Sequence, residues 1–97
     1  MPRALRTAQQ EGKIFARYAR ECLASLLFQR AEYPRAQFYI RRINNSELAN
    51  AESLWLGIKV ERRMNNLDGI EQLATQLRKR FGQSREALLL DRGSFDD

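Results

Sequence analysis

Residues 52–60 read ESLWLGIKV. Leu54, Trp55 and Ile58 recur three and four apart, as on one face of a helix, yet Gly57 stands among the bulkiest side chains of the run. A glycine in a helix interior costs about 1 kcal/mol relative to alanine. A tertiary contact that needs a small residue must therefore offset it.

An internal repeat supplies a reason for that contact. Laying Leu23 on Leu56 also lays Ala24 on Gly57, Leu27 on Val60, Ala36 on Gly69 and Ile40 on Leu73, with RAEY at 30–33 over RMNN at 63–66. Each unit then reads as helix, short turn, helix, with one small residue in each helix that lets the pair approach closely. This pattern predicts an all-α fold of tetratricopeptide-repeat hairpins stacked as a right-handed α-solenoid fragment. The match to the repeat pattern is incomplete. Its Trp position holds Arg20 and Ser53, its closing Pro is Leu48 or Phe81, and the period of 33 is one short of 34. A generic α-hairpin protein is the alternative.

With two prolines, five glycines and apolar spacings of three and four, the rest of the chain reads as helical too. One domain over 1–97 is expected. It divides into a partial repeat or capping helix at 4–17, a first repeat at 18–48, a second at 51–82, a capping helix at 84–91 and a tail at 92–97. Pro34 suits the first helical position, and Asn50 and Ser84 read as N-caps. Gly57 to Leu should unfold the second unit, whereas Gly57 to Ala should be tolerated.

Composition excludes several function classes. The chain has no His, so His-based acid/base catalysis, Ser-His-Asp and Cys-His nucleophiles and the common zinc sites are ruled out. No glycine-rich phosphate loop or metal cluster is present, so no catalytic residue, cofactor or metal is expected. The lone Cys22 reads as a buried structural thiol, and Trp55 as packing rather than recognition. No signal peptide opens the chain, and no apolar run reaches the ~20 residues of a membrane span. The net charge of +5 suits nucleic acid, anionic lipid or an acidic partner. However, Arg41, Arg42, Arg62, Arg63, Arg78, Lys79 and Arg80 cluster toward helix C-termini, where cations favour the helix dipole, so no nucleic acid is expected. The spacing from Ala74 to Gly82 is also a full turn too long for a helix-turn-helix.

A narrower likeness rests on AESLWLGIKVERRMNNLDGIEQLATQLRKRFGQSREALLL (51–90) and LASLLFQRAEYPRAQFYIRRI (23–43). These stretches resemble the C-terminal repeats of the type IV pilus biogenesis and stability lipoproteins, the PilF/PilW pilotins, over about Glu21 to Leu90. ESLWLGI and QLRKRF are the most specific elements. Asn65, Gly69 and Gly82 depart from the residues common in that family. The resemblance implies a non-enzymatic interaction scaffold at the periplasmic face of the outer membrane of a Gram-negative bacterium. There it would assist localisation and assembly of the secretin or bind other pilus-assembly proteins. Family members carry a lipid-modified Cys and about six repeats, so the resemblance also implies a C-terminal fragment or a short relative. Secretin binding is associated more with the N-terminal repeats, which would make this part a scaffold.

By the usual repeat geometry the first helix of each hairpin lines a concave surface. Those positions are Tyr18, Glu21, Ser25, Phe28 and Gln29, then Ala51, Leu54, Ile58, Glu61 and Arg62. Phe28, Leu54 and Ile58 form an apolar strip edged by charge. It either receives a helix or extended peptide or is covered by a neighbouring helix or by the capping helix at 84–91 folding back. A clamp for a C-terminal carboxylate is the rival binding module, but only Arg62 suits it. Two and a half repeats cannot easily bury both stacking faces, so self-association or domain swapping is expected.

Overall fold

In the computed structural model, residues 18–46 and 49–93 are described, and every regular element among them is an α-helix. The first, α1, covers 18–29. It is followed by α2 (Tyr33–Asn44), α3 (Ala51–Arg63), α4 (Leu67–Phe81) and α5 (Arg85–Arg92). The segment 4–17 and the residues of the tail beyond Gly93 lie outside the described residues.

Local chemistry explains the boundaries. Pro34 sits in the first turn of α2, where a missing N–H is harmless. Asn50 caps α3 reciprocally: its Oδ1 accepts from the Ser53 N–H at 2.8 Å, and its own N–H donates to Ser53 Oγ at 2.8 Å. Asn66 Oδ1 accepts from the Gly69 N–H at 3.3 Å to open α4, and Ser84 Oγ accepts from the Ala87 N–H at 3.1 Å to open α5. Each cap satisfies a donor that the first helical turn leaves orphaned.

The turns after α1 and α3 are the same motif. Ala31 and Asn65 both take left-handed backbone conformations, with φ of 61° and 57°. The Glu32 N–H donates to Leu27 O at 2.8 Å and the Ala31 N–H to Phe28 O at 3.0 Å. Asn66 to Glu61 (3.0 Å) and Asn65 to Arg62 (3.1 Å) repeat both bonds. This pair of bonds is the Schellman closure of a helix. Every equivalent pair keeps the spacing of Ala31 to Asn65, and so do the caps Asn50 and Ser84.

The geometric period is thus 34, and the alignment of Leu23 on Leu56 is corrected by one position. One residue rotates a helical side chain by about 100°, enough to change the face it occupies. Ala24 corresponds to Ile58 and Ile43 to Leu77, all buried. Cys22 and Leu23 correspond to Leu56 and Gly57. Both Cys22 and Leu23 are exposed, so the expected buried thiol and the buried contact at Leu23 are not found.

Two apolar clusters meet across α3. One joins Ala24 and Leu27 of α1, Ala36, Ile40 and Ile43 of α2, and Leu56 and Val60 of α3. The other joins Leu54, Trp55 and Ile58 of α3 to Ala74 and Leu77 of α4 and to Ala87 and Leu90 of α5. Trp55 is a packing residue, as expected. α3 is therefore a shared wall, which explains a helix buried on most of its circumference.

Gly57 lies where α2, α3 and α4 meet. A Cβ there would stand 2.6 Å from Asn44 Nδ2 and 3.0 Å from Leu73 Cδ1. The small residue first makes room for an amide of the preceding hairpin, and only then for its own hairpin partner. Alanine would also press on that amide, which would have to shift, so the geometry argues against the expectation that it is tolerated.

Candidate functional site

The predicted concave strip does not form a groove. Leu54 and Ile58 are fully buried beneath α4 and α5, Ala51 packs at the edge of the same cluster, and Glu61 is only 2% exposed. The covering helix is the last one folding back, as the alternative reading allowed. The physical reason is the position of the last two helices: Leu54 and Ile58 share a cluster with Ala74 and Leu77 of α4 and Ala87 and Leu90 of α5. Of the other predicted positions, Tyr18, Gln29 and Arg62 are exposed, while Glu21, Ser25 and Phe28 are half-buried. Phe28 stacks obliquely on Tyr33 with ring centroids 5.6 Å apart and receives Lys59 Nζ 5.5 Å above its ring, so it belongs to the packing between helices.

What the fold assembles instead lies between α2 and α4, around one of the predicted positions, Glu61. The Glu61 carboxylate reaches out of α3 into a ring of donors. Arg41 Nε donates to Oε1 at 2.9 Å and Arg41 Nη2 to Oε2 at 3.3 Å. Gln37 Nε2 and Asn66 Nδ2 donate to Oε2 at 3.0 and 2.8 Å. Burial pushes the Glu61 carboxyl upward. The hydrogen bonds from Arg41, Asn66 and Gln37, together with the Arg41 charge, outweigh it and hold the group below its ordinary value. Gly69 makes this possible, since a Cβ there would lie 3.0 Å from the carboxylate and 2.8 Å from Asn66 Nδ2.

Beside this hub opens a hollow of about 350 Å³. Arg41, Asn44 and Asn45 form one wall, Glu61 the end, and Asp68, Gln72, Leu73 and Gln76 the opposite wall. Asn44, 7% exposed, donates its Nδ2 to Ser53 O at 3.0 Å, which orients the amide. Its Oδ1 is buried and has no hydrogen-bond partner. An unmet buried acceptor costs about 1–3 kcal/mol, and this one is sealed off, with almost no accessible surface of its own.

The sequence offered a signal for this site that the wrong register concealed. In the corrected frame Glu61 takes the place of Leu27, an acid where the first hairpin has a buried aliphatic, and Gly69 and Asn66 lie within one turn of α4. Several basic residues thought to serve helix dipoles are engaged: Arg41 by Glu61, Arg78 by Asp91 at 3.3 Å, and Arg42 and Arg80 over the rings of Phe38 and Phe81. Among the described residues no group of His, Cys, Asp and Glu could hold a metal ion, and no helix is long and apolar enough to cross a membrane. No protein-family model matches the chain, and neither the curated proteins nor the solved structures gave a match.

Proposed function

We propose that the chain is a non-enzymatic scaffold of tetratricopeptide type that works by binding proteins. On the resemblance of ESLWLGI and QLRKRF, its setting is type IV pilus biogenesis: the C-terminal part of a pilotin at the periplasmic face of the outer membrane, assisting the secretin. The observation that carries the scaffold reading is the recurrence of the Schellman turn and of the helix cap at one interval, from Ala31 to Asn65 and from Asn50 to Ser84. That interval is the period of this repeat class, and a backbone that repeats at a fixed interval extends by stacking.

The exposed side of α1 supports the same reading. Cys22 and Leu26 stand where Leu56 and Val60, one period later, are buried against α2. This face of α1 is thus equivalent to one that α3 uses for docking. It also supports association of the chain with itself, and a strict monomer across a light-scattering concentration series would count against that part.

The decisive experiment is co-purification of the tagged chain with a detergent-solubilised pilus secretin. Retention on the secretin, lost when α1 carries Leu26→Lys, supports the pilotin reading. A correctly folded chain that never binds secretin would remove that reading while leaving the repeat scaffold intact.

A further inference from the structure

We infer that the open face of α1 takes an amphipathic helix of a protein partner, one that carries apolar residues at i, i+4, i+7 and i+8. The inference deepens the scaffold reading by naming what docks on this face, and it rests on that reading but not on the pilus setting.

The chain shows this docking twice within itself. Leu56 of α3 and Leu90 of α5 hold equivalent positions in the repeat, and each is buried against the helix that precedes its own. Leu56 clusters with Ile40 and Ile43 of α2, and Leu90 with Ala74 and Leu77 of α4, which are again equivalent pairs. Cys22 is the third member of the series, and it is exposed together with Leu26, the counterpart of buried Val60. Among the described residues no helix precedes α1. The missing element is thus a helix with the buried row of α2, where Ala36, Ile40 and Ile43 stand at i, i+4 and i+7.

A second pair of positions sets the chemistry of the residue that follows this row. Gly57 makes room for the amide of Asn44, which would lie 2.6 Å from a Cβ there. One period on, the same two positions hold Asp91 and Arg78, and Arg78 Nε donates to Asp91 Oδ1 at 3.3 Å. Successive helices therefore match each other at this point, by size in one case and by charge in the other. On α1 the position is Leu23, 36% exposed, which neither leaves space for an amide nor pairs with a cation. A buried polar group without a partner is costly, so the incoming helix must place an apolar residue at i+8.

A second copy can supply this row only by releasing its own α3 or α5, because Ile40, Ile43, Ala74 and Leu77 are already buried. The start of the chain does not carry it at the same interval, where it reads Pro2, Arg6, Gln9 and Gln10. The row comes from a different protein.

The test uses the only thiol of the full chain, Cys22, as reporter. Its alkylation rate is followed while acetylated, amidated peptides of residues 32–45 are titrated in: one with Asn44→Leu, one unaltered and one with Ile40→Lys. The Asn44→Leu peptide should slow alkylation saturably, the unaltered peptide should bind about tenfold more weakly, and the Ile40→Lys peptide should have no effect. In a chain carrying Leu23→Gly the order of the first two should reverse, since the amide then has space and Ala19 O, the counterpart of Ser53 O, to donate to. No protection, or equal protection by both peptides in both chains, would overturn the inference. Alkylation that is slow before any peptide is added would also overturn it, in favour of the chain's own residues 1–17 if independent of concentration and of a second copy if it slows further with concentration. Retention on the secretin without any peptide effect would sink this inference alone, whereas a peptide effect without secretin retention would remove only the pilus setting.

Discussion

In the hairpin of α1 and α2, the carbonyl that closes the turn belongs to Leu27, whose side chain is buried among Ala36, Ile40 and Val60. One period on, the same carbonyl belongs to Glu61, whose side chain is equally buried but surrounded by Arg41, Gln37 and Asn66. The backbone is repeated while the filling is not. The turn is a local device, set by one left-handed residue and two hydrogen bonds, so it recurs whatever the interior contains. The interior answers to its neighbours. α3 has a helix pair on either side and accommodates an ion pair with the preceding α2, whereas Ala24 and Leu27 of α1 share one apolar cluster with α2 and α3.

The largest effect should come from making Gly57 resemble its true counterpart, Leu23. Gly57→Leu drives a side chain into Asn44 and Leu73 and should cost about 3 kcal/mol in urea unfolding. Leu23→Gly, on an exposed face, should cost no more than about 1 kcal/mol. Equal losses would break the comparison. Gly57→Ala should destabilise by about 1 kcal/mol, because the displaced Asn44 amide loses its bond to Ser53 O. In an Asn44→Ala background the shorter contact is gone and only Leu73 Cδ1 at 3.0 Å remains, so helix propensity should offset most of the cost and the same change should become nearly neutral.

Removing the acid at the second hairpin's odd position comes next. Glu61→Gln keeps the shape but loses charge-assisted bonds and should cost about 1–2 kcal/mol at pH 7. The wild-type advantage should depend on pH with a definite sign. A carboxyl held below its ordinary value of 4.5 contributes fully above that value and loses its contribution as pH falls through the folded-state value. The gap between wild type and Glu61→Gln should therefore shrink in urea melts taken progressively below pH 4.5. A gap that stays constant would mean that Glu61 is not an ionised hub. Glu61→Leu, which copies Leu27, should abolish that part of the acid sensitivity.

The two turns give a smaller contrast. Ala31 carries a Cβ in the left-handed region, where asparagine is better tolerated and glycine is free of strain. Ala31→Gly should raise stability by about 0.5–1 kcal/mol, while Asn65→Gly should change it by only a few tenths in thermal melts. Smallest of all, Cys22 should react with a thiol reagent in the native chain without prior unfolding, and its alkylation should leave the melting temperature within about 1–2 °C.

Much of the architecture was legible. Asn50 and Ser84 could be read as caps and Pro34 as a helix start, because each acts through groups within a few residues of itself. The site was not. An alignment of side-chain sizes preferred 33 over 34 because Ala24 and Gly57 look alike, yet Ala24 is small to let α1 meet α2, and Gly57 is small to admit the amide of Asn44. The usual repeat geometry put Leu54 and Ile58 on an open surface, and they are covered because α4 and α5 pack on that face of α3.

The sequence by itself determined an all-helical chain, the places where its helices start and stop, and the absence of any histidine chemistry, since these follow from local propensity and composition. Tertiary structure alone decided which face of α3 is covered. It also decided that Glu61, Arg41 and Asn44 converge beside Asp68. Such outcomes depend on contacts between residues far apart in the chain, as Arg41 and Glu61 are, and a single helical step of about 100° is enough to exchange interior for surface.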